Sequence, residues 1–227
     1  MNRINIAIDG FSGCGKSTLA RDVARSLNYT FIDSGAMYRA ITYACQGNYN
    51  QTHVLKILSS QPVITISPNG DLIFDGIAFG DELRTREVSS NVSKVAVIEE
   101  VREYLKNVQQ ALIRKKGVVM EGRDITSVIM PDAELKVFIT ASPQIRAERR
   151  YNQLINKGID ADISSVQKEL QERDKMDMNR EHSPLTLVNE AIVLDTSHLS
   201  TEEQLRTLVS IVIPKVDPSL TSGLIKR

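Results

Sequence analysis

The sequence predicts an α/β fold: a parallel sheet with crossover helices, carrying a small antiparallel β lobe inserted into it. Three observations carry that reading. Short apolar runs at residues 5–8, 29–32, 118–120, 135–140 and 191–194 alternate with stretches of helical periodicity, and strand, helix, strand within about 30 residues marks a right-handed βαβ unit. Residues 62–79 switch to short runs separated by turns at Pro68-Asn69-Gly70-Asp71 and Asp75-Gly76, which read as three antiparallel strands. The length of 227 residues suits one good-sized domain with an inserted lobe better than two large domains.

Each element follows from its own residues. Asn5-Ile6-Ala7-Ile8 is short, apolar and β-branched, and it runs straight into Asp9, Gly10 and a glycine-rich turn, as a buried strand does. Leu19, Ala20, Val23, Ala24 and Leu27 then recur at helical spacing over 17–27. A second strand follows at 29–32. Asp33-Ser34-Gly35 supplies an N-cap for a helix to about Cys45, ahead of a polar stretch rich in Gly, Asn and Gln. Beyond the β lobe, Val88, Val92, Val95, Val101, Leu105, Val108, Leu112 and Ile113 predict helix over 87–116, broken near 96–98. Gly117 ends it, and 118–120 is a buried strand closing on Glu121-Gly122. A strand over 135–140 precedes a helix over 143–156 opened by Pro143, and another helix spans about 164–176. A last strand at 191–194 leads to a helix over 200–213, with Glu202 and Glu203 in the first turn where the helix dipole favours acids. The polar tail from Pro214 is expected to fray.

Composition excludes several function classes. Lys+Arg and Asp+Glu number 28 each, so the net charge is zero, which argues against a broadly basic nucleic-acid binder. Apolar residues at 41% can fill a core, and that core must be aliphatic because aromatics are 5% and Trp is absent. No stretch approaches the roughly 18 apolar residues of a membrane span, and the N-terminus lacks the pattern of a secretory signal. Cys14 and Cys45 are too few for a disulfide framework, and the three histidines do not fall at metal-ligand spacing. The expectation is a reduced, cytoplasmic protein without nucleic-acid or membrane partners.

Gly10-Phe11-Ser12-Gly13-Cys14-Gly15-Lys16-Ser17 matches the phosphate-binding P-loop pattern, with a strand before it and a helix after it. Glycines let successive backbone N–H groups converge on phosphate oxygens, and the helix N-terminus adds partial positive charge. Lys16 then reaches the β and γ phosphates of ATP, and the Ser17 hydroxyl holds Mg²⁺. A P-loop alone leaves kinases, GTPases, motor ATPases and transporters open. The nearest approach to a guanine-reading motif, Asn156-Lys157-Gly158-Ile159-Asp160, has its acid one residue late, and no transporter signature is present. Arginines are frequent at strand ends and on helix faces: Arg39, Arg123, Arg173, Arg180, and the trio Arg146, Arg149 and Arg150 on one side of a helix. Their planar forks suit phosphate oxygens, as a chain that clamps two anionic substrates requires.

Further stretches extend the pattern: Asp33-Ser34-Gly35-Ala36-Met37-Tyr38-Arg39, Arg84-Thr85-Arg86-Glu87-Val88, Val101-Arg102-Glu103, Glu121-Gly122-Arg123-Asp124, and Glu172-Arg173-Asp174 through Asp177, Asn179 and Arg180. With the P-loop and Thr18 after it, they make the chain resemble, over nearly its whole length, the bacterial-type cytidylate kinases. The resemblance implies a P-loop kinase core with a lid and an inserted antiparallel β lobe. Core segments are then expected at about 1–34, 115–142 and 190–213, a nucleotide-binding region at about 35–114, a lid at about 143–180 and a tail at 214–227.

It implies transfer of the γ-phosphoryl group of ATP to CMP or dCMP by a monomer acting on small-molecule nucleotides. Ser34, Arg39, Arg123 and Arg180 are then the grip on the acceptor phosphate. Ser93, Arg102 and Asp124 read the base, Tyr38 packs on it, and Arg173 and Asp177 hold the sugar. Lys16, Arg123, Arg149, Arg150 and Arg180 neutralise the transferring group, with Arg149 and Arg150 delivered by the lid. Cytosine offers an amine to Asp124, whereas uracil meets it acceptor to acceptor at a cost of about 1–3 kcal/mol.

Two residues depart from the family pattern. Glu121 stands where Asp is commoner, and Cys14 where a small residue such as Ala is usual. Cys14, at a helix N-terminus in an open loop, is expected to be alkylated readily and protected by ATP. Competing readings are a P-loop kinase for another acceptor, such as UMP or dTMP, and a nucleotide-binding switch that phosphorylates nothing.

Overall fold

In the computed structural model, which describes residues 3–67 and 70–216, five parallel strands form the central sheet. They are β1 (Ile6–Gly10), β2 (Thr30–Asp33), β6 (Val118–Glu121), β7 (Leu135–Thr140) and β8 (Ile192–Asp195), in the order β2-β6-β1-β7-β8. Period-two alternation sorts their side chains. Ile6, Ile8 and Val119 face one layer; Ala7, Val118 and Met120 face the other.

The first layer is α1 (Lys16–Leu27) and α8 (Thr201–Val216), which bury Leu19, Val23, Leu208 and Val212 against the sheet. The second holds α2 (Ser34–Ala44), α4 (Arg86–Ala96) and α5 (Glu99–Leu112), whose Met37, Ile41, Val92, Val101 and Leu105 share one core with Ile32. The inserted lobe, β3 (Ile64–Ile66), β4 (Leu72–Phe74) and β5 (Ile77–Phe79), is antiparallel as expected, and Ile64, Leu72 and Phe74 join that second core. Pro68 and Asn69 of its first turn lie outside the described residues.

Helices α6 (Pro143–Asn156) and α7 (Ile163–Asn179) pack on each other through Ala147, Val166 and Leu170. The polar stretch after α2 contains a helix the sequence pattern did not announce, α3 (Gln51–Ser59). Asn50 caps it through His53 N, and its short length with only Val54 fully buried leaves little periodicity to detect. A π-helical turn over Ile125–Ile129 was equally unannounced. The last helix does not stop at 213: it continues through Pro214 to Val216, so the fraying expected from Pro214 does not hold for 214–216. In the final turn a proline removes a single hydrogen bond, and Val216 is buried there. Residues 217–227 of the expected tail lie outside the described residues.

Candidate active site

The P-loop leaves β1 at Gly10, whose φ is +146° and where a Cβ would lie 2.0 Å from the Ile139 carbonyl oxygen of β7. Only glycine permits that approach. Gly13 and Gly15 also have positive φ, and Thr18 stands exposed on the first turn of α1. Lys16 folds over its own loop: Nζ donates to the Phe11 carbonyl at 2.6 Å and lies 3.8 Å from Cys14 Sγ. Burial, then the charge of Arg123, hold its pKa below the ordinary lysine value. Ser17 Oγ donates to Glu121 Oε1 at 2.5 Å, so the hydroxyl and carboxylate suited to a hard cation already meet.

Ser12 is clamped from three sides. Its N–H donates to Asp174 Oδ1 at 3.1 Å, its carbonyl accepts from Arg146 Nη1 at 3.1 Å, and its hydroxyl accepts from Arg123 Nη2 at 2.7 Å. Arg146 and Asp174, from α6 and α7, are themselves a buried ion pair. Arg146 thus shares a helix with Arg149 and Arg150 but ties α6 and α7 to the P-loop. Arg149 donates to the Thr196 hydroxyl and carbonyl at 3.0 and 2.6 Å, and to the Cys14 carbonyl at 3.5 Å. Arg150 feels Glu169, Arg84 and Arg39, and burial lowers its pKa.

Cys14 contradicts the sequence expectation. Its side chain is fully buried in the core under α1, and Sγ donates to the Phe11 carbonyl at 3.0 Å. A thiol enclosed this way is shielded from alkylating reagents, so ready labelling is not expected.

Arg123, two residues beyond β6, carries the site from the P-loop to a cluster of charges. Besides Ser12, it donates through Nε to Asp177 Oδ2 at 2.8 Å. Burial works against its charge, but Asp177 and then Glu121 outweigh it and hold the guanidinium above the ordinary arginine pKa. Arg180 approaches Asp124 at 3.8 Å and Asp177 at 3.9 Å, and donates to the Ser183 carbonyl. Arg173 has the opposite environment: burial and the neighbouring charge of Arg123 push its pKa down to about 10. Arg39 and Arg84 both donate to Asp33 at 2.8 Å, while Ser34 Oγ donates to the Glu121 carbonyl at 2.7 Å.

The expected base readers are brought together in part. Arg102 of α5 pairs with Asp124 and stacks over the ring of buried Tyr38 at 5.6 Å. Arg102 and Asp124 line a cavity of about 100 Å³ with Val128, His182 and Ser183. A neighbouring cavity of about 360 Å³ is walled by Arg180, His182, Ile98 and Gln51. Ser93 is half-buried on α4 and lines neither cavity. Of the six buried side-chain polar atoms without a hydrogen-bond partner among the described residues, four belong to Arg39, Arg102, Arg173 and Arg180. Buried guanidinium donors left unpaired are a demand for acceptors, as nucleotide phosphate and base oxygens supply.

The sequence pattern did not show the supporting roles of Asp9 and Asp174, and it grouped Arg146 with the arginines suited to phosphate. Asp9, Arg146 and Asp174 bind backbone groups or each other, and only their tertiary partners give them a role. Asp174 sits inside the Glu172-Arg173-Asp174 stretch, the one signal that pointed towards it. Among the described residues no helix is long and apolar enough to cross a membrane.

Comparison with known proteins gives the family of the chain. A cytidylate kinase of Flavobacterium psychrophilum is 46% identical over 223 residues, covering 93% of this chain and 99% of that protein. One of Bacteroides thetaiotaomicron is 44% identical over 215 residues, covering 90% and 94%. In overall fold the chain is similar to the crystal structure of an uncharacterized protein from Eubacterium ventriosum, with a TM-score of 0.55 at 11% identity, covering 92% of this chain and 98% of that one. The cytidylate kinase family profile matches residues 6–213. Matched over nearly its whole length and by relatives of this similarity, the chain belongs to the cytidylate kinase family.

Proposed function

We propose that the protein transfers the γ-phosphoryl group of ATP to the α-phosphate of CMP or dCMP, giving ADP and CDP or dCDP. The observation that carries this is Arg123. Its guanidinium reaches Ser12 in the P-loop at 2.7 Å and Asp177 at 2.8 Å, while the next residue, Asp124, pairs with Arg102 at the wall of a cavity. The loop suited to ATP and the groups suited to a cytidylate are therefore joined by two consecutive residues.

An ionised oxygen of the acceptor phosphate attacks the γ-phosphorus as the oxygen bridging to the β-phosphorus leaves with ADP. No proton has to be removed, so no general base is needed, and catalysis is positioning plus charge neutralisation. Lys16 turns from the Phe11 carbonyl to the β and γ phosphates. Ser17 and Glu121 are the residues we assign to Mg²⁺, which when bound neutralises charge developing between those phosphates. Ser34, Arg39, Arg123 and Arg180 grip the acceptor phosphate, and Arg173 and Asp177 hold the sugar. Ser93, Arg102 and Asp124 read the base beside Tyr38. The exocyclic amine of cytosine donates to Asp124, where uracil would present a second acceptor. Helices α6 and α7 close as a lid, bringing Arg149 and Arg150 over the transferring group and excluding water. One chain supplies every residue named, and we take the monomer as the working unit.

A coupled assay across CMP, dCMP, UMP, AMP and dTMP tests the reading: CMP and dCMP are expected to drive ATP consumption, and faster turnover with another acceptor would replace them. Lys16→Ala should keep the wild-type melting temperature and lose about a hundredfold or more in kcat; near-normal turnover would remove the P-loop from the mechanism.

A further inference from the structure

Asp9 is buried at the end of β1, one residue before the P-loop, and the transfer mechanism gives it nothing to do. Its carboxylate accepts three hydrogen bonds, all from the segment that follows Arg123 and Asp124. Ile125 N donates to Oδ1 at 2.9 Å, and Thr126 donates to Oδ2 through both N and Oγ1 at 2.7 Å. On the other side of the pair, Gly122 N donates to the Ile8 carbonyl at 2.9 Å. The two residues that join the P-loop to the acceptor site thus form an arc pinned at both ends to consecutive residues of β1. Gly122 lets the arc lie close, since a Cβ there would meet Ser34 Oγ at 2.4 Å and Ile125 Cδ1 at 2.7 Å.

The local backbone explains why a carboxylate is required. The π-helical turn begins at Asp124, whose carbonyl accepts from Val128 N at 2.9 Å and Ile129 N at 3.1 Å. Its first N–H groups, on Ile125 and Thr126, have no partner inside the turn. Asp9 satisfies both from a different strand and takes the Thr126 hydroxyl as well. A carboxylate is acceptor-only, so it can face three donors. An asparagine would turn an N–H₂ towards at least one of them.

We propose that Asp9 is a positioning residue for the acceptor nucleotide, holding Arg123 and Asp124 at a set distance from the P-loop through the turn at 125–129. The inference rests on the cytidylate reading of the site. A shift of the arc would move Arg123 against the acceptor phosphate and Asp124 against the base together, while the P-loop glycines, Lys16 and Ser17 stay on β1 and α1. The effect should therefore fall on the acceptor far more than on ATP.

The test is steady-state kinetics of Asp9→Asn and of Thr126→Val, which keeps shape and removes one of the three bonds. Asp9→Asn is expected to raise KM for CMP by about tenfold or more, to keep KM for ATP within about twofold, and to narrow the CMP over UMP preference. Thr126→Val should move the same quantities in the same direction by about two- to threefold, and it serves alone if Asp9→Asn does not fold. A lower melting temperature with unchanged KM for CMP and unchanged base preference would reduce Asp9 to a structural residue and overturn the proposal. So would equal increases in KM for ATP and CMP. If the wild type itself uses an acceptor other than CMP, the functional reading fails separately. The same comparison with that acceptor then decides the role of Asp9, because Arg123 still links the two sites.

Discussion

At Asp177 the cleft keeps a buried negative charge. Burial alone would raise its pKa, yet Arg123, Arg173 and Arg180 hold the carboxyl below the ordinary aspartate value. The folded state therefore takes up this proton less readily than the unfolded chain. The stabilisation is complete above the ordinary value of 3.8 and is lost as pH falls through the lower, folded value. Asp9 has the opposite sign: burial raises its pKa to about 6 against its hydrogen bonds, so its charge opposes folding above that pH and the opposition fades as pH falls from 6 towards 3.8. Thermal melting from pH 7 to 3 should accordingly show little loss down to about pH 4 and a steep loss below it. Asp177→Asn should be less stable by about 3–5 kcal/mol at neutral pH, because Arg123 and Arg173 lose their counter-charge, and should show a shallower acid limb. An acid limb as steep as the wild type's would remove Asp177 as its source. Cys14 lies in the core beneath α1. Its burial predicts that iodoacetamide labels the folded protein many times more slowly than the unfolded chain, and equal rates would place the thiol outside the core.

Between elements, the coupling that matters most is the buried ion pair of α6 and α7 against the P-loop. Arg146 and Asp174 bind each other and, through Ser12, hold both the carbonyl and the N–H of one loop residue. Arg146→Met alone leaves the Asp174 carboxylate buried and unpaired, at a cost of about 3–5 kcal/mol. The double change Arg146→Met with Asp174→Leu removes both charges and should recover most of that stability. Its KM for ATP should nonetheless stay raised, because Ser12 has lost two of its three anchors. Double-mutant melting and kinetics measure both halves, and a double variant with wild-type KM for ATP would mean the pair serves packing alone.

Over the whole molecule, a chain of zero net charge gathers four arginines into one cluster. Arg39, Arg123, Arg173 and Arg180 stand among Asp33, Asp124 and Asp177, with buried donors still unpaired. A ligand that satisfies those donors must stabilise the fold by linkage, by about 2.7 kcal/mol at a concentration one hundred times its Kd. CMP should therefore raise the melting temperature more than UMP at the same concentration. Equal shifts would remove Asp124 as the base reader.

Much of this architecture was legible in the sequence. Apolar runs too short for helices could only be strands, the glycines and Lys16 named the P-loop between a strand and a helix, and Pro143 and Asp33 marked helix starts that the structure keeps at those residues. Helix α3 escaped because its apolar face, Val54, Ile57 and Leu58, covers little more than one turn, and the π-helical turn escaped because Asp9 of a distant strand satisfies its first N–H groups. Burial of Cys14 escaped because exposure of a loop residue depends on what packs over it. The sequence by itself determined the succession of strands and helices along the chain, the phosphate-binding loop and the supply of arginines, since these depend on local periodicity and residue type. Only the tertiary structure decided which arginine meets which carboxylate, that Asp9 pins the arc carrying Arg123 and Asp124, and that Ser12 is gripped from three sides. The Asp9 and Ser12 contacts join residues more than one hundred positions apart, the ion pairs Arg123–Asp177 and Arg146–Asp174 join residues 54 and 28 apart, and contacts between separate elements are set by how the layers close on one another.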